Sequence, residues 1–435
     1  MVRLERKLLI AVVIAAVVFL AVGKPHFTPD EAGYAVAVKN LSEGASLEEL
    51  GLKNRVLHVF LLSVPARVFG FSVPMLEAMI FLFSLAAVAL VFLIARKIGA
   101  SEEAAFFASV FFAISPLAIV LSRGLLSEMP GLAFSLAAVF IYLQGKSWKS
   151  PVLSAVFAIA AFLIREYILI AVGAFLVAFH AVNRKDAGQW KRLAAFIAAF
   201  VLLGVSSSAL LGLDLLYAYS ENVKYVAQFS DSVLPKFLMI PFSVALGGAS
   251  AVLLAAYAFF RGSKNSLVLL WLSLAIIAMV AIPRVEVRYA LPALVPLSIL
   301  AGEAAEKIKG NKAILAVLIL ASLAASYAFS SYWNVKNDPA VFSEMTAFAI
   351  SNGNSAIVSR LCSNYEIASG GKIAVKCTDD VKSISETELF IEHSNHKVRP
   401  EWMSDCTLRE IFRKDDTWLV VKRTTIAYEV ECASA

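Results

Sequence analysis

The chain has 435 residues, of which 60% are hydrophobic and only 17% charged, and its mean hydropathy is +0.76. This is more apolar surface than one soluble core can bury, so a soluble globular protein is excluded and a polytopic membrane protein is expected. The net charge of +6 is uneven: residues 337–435 hold eleven Lys and Arg against fifteen Asp and Glu. The basic excess therefore belongs to the apolar part, where it reflects membrane topology and not nucleic-acid binding.

The first apolar run, 8–22, follows Arg3, Arg6 and Lys7, and the Gly23-Lys24-Pro25 that ends it is no small-x-small cleavage site, so it reads as a retained first span. A long outer loop, 24–75, comes next, and within it 56–69, with His58, Pro65 and Arg67, reads as an interfacial helix. Further apolar runs at 76–95, 103–121, 131–145, 151–164, 167–182, 193–213, 237–260, 266–282, 289–301 and 313–331 complete about eleven expected transmembrane helices. The other sizeable outer loop, 214–236, carries Tyr217, Tyr219, Tyr225 and Phe229 at interface depth.

Basic clusters at 3–7, 96–97, 146–149, 184–192, 261–264 and 307–312 fall on one side of this scheme, which places the N-terminus in the cytoplasm and residues 337–435 outside. That segment is read as a small α/β domain, with helices near 341–351 and 407–413 and strands near 355–359, 372–377, 387–392, 417–422 and 426–431. All four cysteines, Cys362, Cys377, Cys406 and Cys432, lie in it. An even number in a segment facing an oxidising compartment points to one or two disulfides, with the pairing open; four buried free thiols are the alternative.

Charged residues gather at the outer ends of the runs. Asp30 and Glu31 lie just beyond the first span, where a partly desolvated carboxylate could deprotonate an acceptor hydroxyl. The plainer reading makes Asp30 a helix N-cap with Glu31 in the first turn. Arg123 with Glu128, Arg165 with Glu166, and Arg284, Glu286, Arg288 and Tyr289 form three more clusters. Taken singly, each fits interfacial snorkelling; together on one face, alternating carboxylates and arginines fit a site that binds phosphate oxygens and stabilises a leaving group. Asp30, Glu31 and Glu128 could supply oxygen ligands to a divalent metal, with His26 near in sequence. His26 and His58 read as interface residues, and His180, His393 and His396 have no ligand partners at recognised spacing.

At these residues the chain resembles the protein O-mannosyltransferase and aminoarabinose transferase group of the C-type glycosyltransferase superfamily, over most of residues 1–333. Asp30, Glu31 and Tyr34 match the group's Asp-Glu pair and following Tyr. Ser122-Arg123 with Leu126, Glu128 and Pro130 matches a second motif, Arg165-Glu166 a third, and Glu286, Arg288, Tyr289, Leu291, Pro292 and Pro296 a late Glu-x-Arg-Tyr-x-Leu-Pro pattern. The resemblance implies that Asp30 is the catalytic base, with Glu31 beside it and Glu128 a second active-site carboxylate. Tyr34, Arg123, Arg165, Glu166, Arg284, Glu286, Arg288 and Tyr289 would bind donor phosphate or substrate.

A transmembrane glycosyltransferase domain, 1–333, followed by a soluble extracytoplasmic domain, 337–435, is thus expected. It would move a sugar from a polyprenyl- or dolichyl-phosphate donor, with inversion, to a lipid, glycan or protein acceptor at the outer face of the cell membrane. The β-trefoil insert of the protein O-mannosyltransferases and the Trp-Trp-Asp-Tyr-Gly motif of oligosaccharyltransferases are both missing, so the acceptor stays open. The alternative is a transporter or flippase of lipid-linked sugars, whose charges should lie near mid-membrane.

Overall fold

A computed structural model describes residues 2–24, 26, 28–46, 55–145, 147–211, 233–260, 265–280, 282, 286–336, 339–359, 361–369, 371–378, 388–393, 406–418 and 421–432. The expectations for Tyr217, Tyr219, Tyr225, Phe229, Arg284 and His396 fall outside these residues. The chain divides into two compact units, one of Met1–Gly23 with Ala45–Tyr327, the other of Lys24–Gly44 with Ala328–Ala435.

The first unit is helical. It comprises α1 (Val2–Val22), α3 (Val56–Phe69), α4 (Val73–Lys97), α5 (Glu102–Ala113), α6 (Pro116–Leu121), α7 (Glu128–Gln144), α8 (Lys149–Ile164), α9 (Leu169–Val182), α10 (Ala187–Leu211), α11 (Val233–Phe260), α12 (Ser266–Val280), α13 (Leu291–Ile308) and most of α14 (Lys312–Lys336). Each of the eleven apolar runs is thus mostly helical where described. Among the described residues four helices, Val73–Lys97, Ala187–Leu210, Val287–Ile308 and Lys312–Asn334, are by length and composition long and apolar enough to cross a membrane.

The run 103–121 is not one helix. Pro116 lacks the N–H that would continue α5, and Ser115 restarts the chain by accepting from the Ala118 N–H at 3.3 Å, which makes α6 a separate short helix. α11 is likewise kinked, at Gly248 (φ −167°, ψ 57°).

α13 is the central helix of this unit, 83% buried over its most apolar window against 6% for α10. It packs on α5 and α11, while α7 packs on α4 and α8. Gly302 allows the closest approach: a Cβ there would meet the Ala104 carbonyl oxygen and, at 2.7 Å, the Ala108 nitrogen of α5. Backbones brought this close gain dispersion contact that no larger residue permits.

The second unit holds α2 (Pro29–Glu43), α15 (Pro339–Ser351), α16 (Cys362–Ser369) and strands β1 (Ala356–Ser359), β2 (Ala374–Cys377), β3 (Glu388–His393), β4 (Cys406–Trp418) and β5 (Val421–Cys432). The sheet order is β2-β1-β3-β5-β4, with β1 parallel to β2 and β3, and β5 antiparallel to β3 and β4. Val341, Phe342, Met345, Ile357, Leu389 and Ile391 belong to its main core.

The helix expected at 407–413 is instead strand β4. Leu408, Arg409 and Glu410 are good helix formers, but pairing along the whole length of β5, from Cys406 opposite Cys432 to Trp418 opposite Val421, outweighs that local preference. The strand expected at 417–422 falls across the end of β4 and the start of β5.

Cys362 and Cys377 form a disulfide and tie the start of α16 to the end of β2; Cys406 is also disulfide-bonded. α16 in turn packs on α2. Closing a link across a sequence separation of 15 removes chain entropy from the unfolded state. The Cys362→Ser/Cys377→Ser protein is expected to lose about 2–4 kcal/mol of stability in this unit. Calorimetry of the full chain would show it, and an unchanged melting temperature would contradict it.

Candidate active site

Two clusters of polar side chains stand out, one in each unit. In the first unit, Glu128 opens α7 and is fully buried. Its carboxylate in the first turn complements the helix dipole, which offsets only part of the cost of burying a charge. The remainder is offset by guanidinium groups. Arg165 Nη2 lies 3.1 Å and Arg288 Nη1 3.6 Å from the same carboxylate oxygen. Arg55, which starts α3 with a left-handed backbone (φ 61°), adds a third positive charge acting on Glu128.

The backbone explains how these side chains arrive. α8 ends at Arg165, where the chain extends (φ −159°, ψ 104°) before a 3-10 turn, Glu166–Ile168, leads into α9. A second 3-10 turn, Val287–Ala290, carries Arg288 and Tyr289 just ahead of α13. Both arginines thus sit at breaks between helices. Gly131, one turn along α7 from Glu128, makes room for the first: a Cβ there would lie 3.1 Å from the Arg165 Cβ. Arg288 Nε also pairs with Glu286 at 2.7 Å.

Two tyrosines fill the space between the arginines. The Arg165 guanidinium lies 5.1 Å from the Tyr167 ring centroid, the Tyr167 and Tyr289 rings are 4.5 Å apart edge to face, and the Arg288 guanidinium is 5.9 Å from Tyr289. The Tyr167 hydroxyl donates to the Arg288 carbonyl at 3.2 Å. His58 is buried; its Nε2–H donates to the Leu125 carbonyl at 3.0 Å, fixing the segment that leads to Glu128.

Arg55, Arg165 and Arg288 all act on the Glu128 carboxylate, and Arg288 also pairs with Glu286. Among the described residues neither Glu128 oxygen accepts a hydrogen bond of good geometry, so its contacts are Coulombic. Converging guanidinium groups of this kind can bind an anion.

In the second unit, α2 begins with a capping box. Thr28 Oγ1 accepts from the Glu31 N–H at 3.3 Å, and Glu31 Oε2 accepts from the Thr28 N–H at 2.6 Å. The cap is therefore Thr28 and not Asp30. Glu31 is fully buried, its other oxygen 3.4 Å from His26 Nε2, and His26, also buried, stands edge-on to Trp333. Asp30 is exposed in the same first turn, and Tyr34 is buried one turn further on.

The structure brings together Glu128, Arg165, Glu286, Arg288 and Tyr289 from the expected set, with Glu166 opening the adjacent 3-10 turn. The pairing of Arg123 with Glu128 is not observed. Arg123 is partly buried, runs its stem beside Gly23, and has an Nε with no hydrogen-bond partner among the described residues. Tyr167, Arg55, His58 and Thr28 were not anticipated. A ring two residues after Arg165, and the Thr-x-x-Glu spacing of Thr28 and Glu31, were the available signals.

Among the described residues no group of three or more His, Cys, Asp or Glu side chains could hold a metal ion. Of the expected donors, Glu31 is engaged by its cap and by His26, and Glu128 by two guanidiniums.

Comparison with known proteins places this arrangement of apolar helices and charged helix ends among related folds. The family model of dolichyl-phosphate-mannose-protein mannosyltransferases matches residues 65–216. ArnT from Cupriavidus metallidurans bound to undecaprenyl phosphate is similar with a TM-score of 0.65 at 14% identity, over 96% of this chain and 97% of that one. Its apo form gives 0.62 at 15% identity over the same shares. The oligosaccharyltransferase of Archaeoglobus fulgidus, in complex with Zn and sulfate, gives 0.55 at 13% over 85% of this chain and 62% of that one. At these identities the structural likeness is one of fold. No curated protein matches by sequence. The resemblance read from the sequence is borne out: the chain is an integral membrane protein, and family match and fold together indicate a glycosyltransferase that uses a lipid-linked sugar.

Proposed function

We propose that the chain transfers a sugar from a polyprenyl- or dolichyl-phosphate donor to an acceptor hydroxyl at the outer face of the membrane, with inversion at the anomeric carbon. The observation that carries this reading is the convergence of Arg55, Arg165 and Arg288 on the buried Glu128 carboxylate, at the ends of apolar helices. Arg165 and Arg288 bind the donor phosphate, with Arg123 and Arg284 as further cations. As the bond from the anomeric carbon to the phosphate oxygen breaks, negative charge grows on the leaving lipid phosphate, and fixed guanidinium groups lower that barrier. Asp30 takes the proton from the attacking hydroxyl. Its exposure in the first turn of α2 supports that role. Glu128 holds the arginines in register and, being ion-paired, serves as an organiser more than as a base.

Eleven spans, an N-terminus in the cytoplasm and a C-terminal domain outside accompany this reading, and the Cys362–Cys377 disulfide supports an oxidising compartment for that domain.

Transfer of labelled sugar from a panel of polyprenyl-phosphate sugars by protein in lipid nanodiscs tests the proposal. Asp30→Asn is expected to lower turnover by roughly 10²–10⁴-fold while binding donor normally. Flipping of the same lipids without transfer would favour a transporter and sink the enzyme reading.

A further inference from the structure

We propose that Tyr167 is a positioning residue for the donor phosphate, its ring and hydroxyl setting the spacing of the Arg165 and Arg288 guanidiniums. The inference rests on the lipid-phosphate reading above and adds a residue that no motif marks.

Five side chains form a closed circuit: Glu128 to Arg165, Arg165 to Tyr167, Tyr167 to Tyr289, Tyr289 to Arg288, and Arg288 back to Glu128. Tyr167, like Glu128 on the other side of the circuit, touches both arms. Its ring lies against the Arg165 guanidinium, and its hydroxyl donates to the backbone carbonyl of Arg288. It therefore ties the 3-10 turn after α8 to the 3-10 turn before α13, two segments 121 residues apart in the chain.

Neither turn is held by long regular helix hydrogen bonding, so a cross-link between them decides where the two guanidiniums point. A guanidinium held over an aromatic face has fewer orientations open to it and loses less freedom when it binds two phosphate oxygens. Without the ring, Arg165 would still be charged and still near Glu128, but its fork would not be fixed with respect to Arg288. The predicted loss is thus in phosphate affinity, with the fold retained.

Binding of undecaprenyl phosphate to the full chain in phosphatidylcholine nanodiscs tests this, with thermal unfolding measured alongside. Tyr167→Leu is expected to weaken binding about tenfold or more, and Tyr167→Phe, which keeps the ring, to fall between it and wild type. If Tyr167 acts through Arg165, the losses from Tyr167→Leu and Arg165→Lys will not add in the double variant, whereas a merely structural role predicts additive losses. A folded Tyr167→Leu protein with wild-type affinity overturns the proposal; should that variant not fold, an unchanged affinity in Tyr167→Phe does so. Wild-type protein that does not bind the lipid phosphate overturns the donor reading itself, and the role of Tyr167 with it.

Discussion

Replacing Arg165 by alanine is expected to abolish donor-phosphate binding and to destabilise the protein by about 3–5 kcal/mol, because it leaves the Glu128 charge buried without its nearest partner. Glu128 is fully buried and Arg165 only 2% exposed, so solvent cannot take over the pairing. Arg165 is also among the largest buried side chains, packed against Gly131 and Tyr167, so truncation opens space as well as removing charge. Thermal unfolding in nanodiscs and titration with undecaprenyl phosphate would measure the two effects. Adding Glu128→Gln to the Arg165→Ala protein removes the orphaned charge and is expected to recover part of the stability but none of the binding. An Arg165→Ala protein that melts and binds like wild type would refute the role given to this pair.

Gly302→Ala is expected to be the most damaging single methyl addition in the helical unit. The new Cβ would overlap backbone atoms of α5, and backbone cannot move aside as a side-chain tip can. Overpacking of this kind costs typically about 1–3 kcal/mol, and more where backbone must shift. The effect should reach the site, because α13 follows directly on the 3-10 turn that carries Arg288. Gly173→Ala is the matched control, since a Cβ at Gly173 in α9 meets nothing within 4 Å. There the substitution should be neutral or slightly stabilising, as alanine is the better helix former. Scanning calorimetry or fluorimetry of both variants in one lipid composition gives the comparison; equal melting temperatures would show that α5 and α13 do not make this close contact.

The apolar runs were legible in the sequence because a helix exposed to hydrocarbon must satisfy its own backbone hydrogen bonds, and that requirement writes itself as long stretches of uniform hydrophobicity. All eleven are mostly helical where described. The break at Pro116 was equally local, though the run 103–121 hid it under continuous hydrophobicity. The capping box at Thr28 and Glu31 was also written in four consecutive residues. Its importance shows only in what it does to the Asp-Glu pair, turning Glu31 into a structural carboxylate and leaving Asp30 exposed.

Strand β4 shows the opposite case. Its residues 407–413 favour a helix when read alone, and only the partner strand β5, which supplies hydrogen bonds along its whole length, makes an extended chain the better solution. The disulfide pairing belongs to the same class, since an even cysteine count is compatible with several connectivities until the fold sets Cys362 beside Cys377.

What the sequence by itself determined was the membrane character of the chain and the candidate charges, because hydrophobicity and residue type are properties of short segments. Only the tertiary structure decided which of those charges meet. Glu128, Arg165 and Arg288 come from three separate parts of the chain, and they converge because a buried carboxylate must be paired wherever the helices carry it. Tyr167 gained its place for a related reason: two guanidiniums drawn to one carboxylate repel each other, and an aromatic pair between them holds both at a fixed spacing.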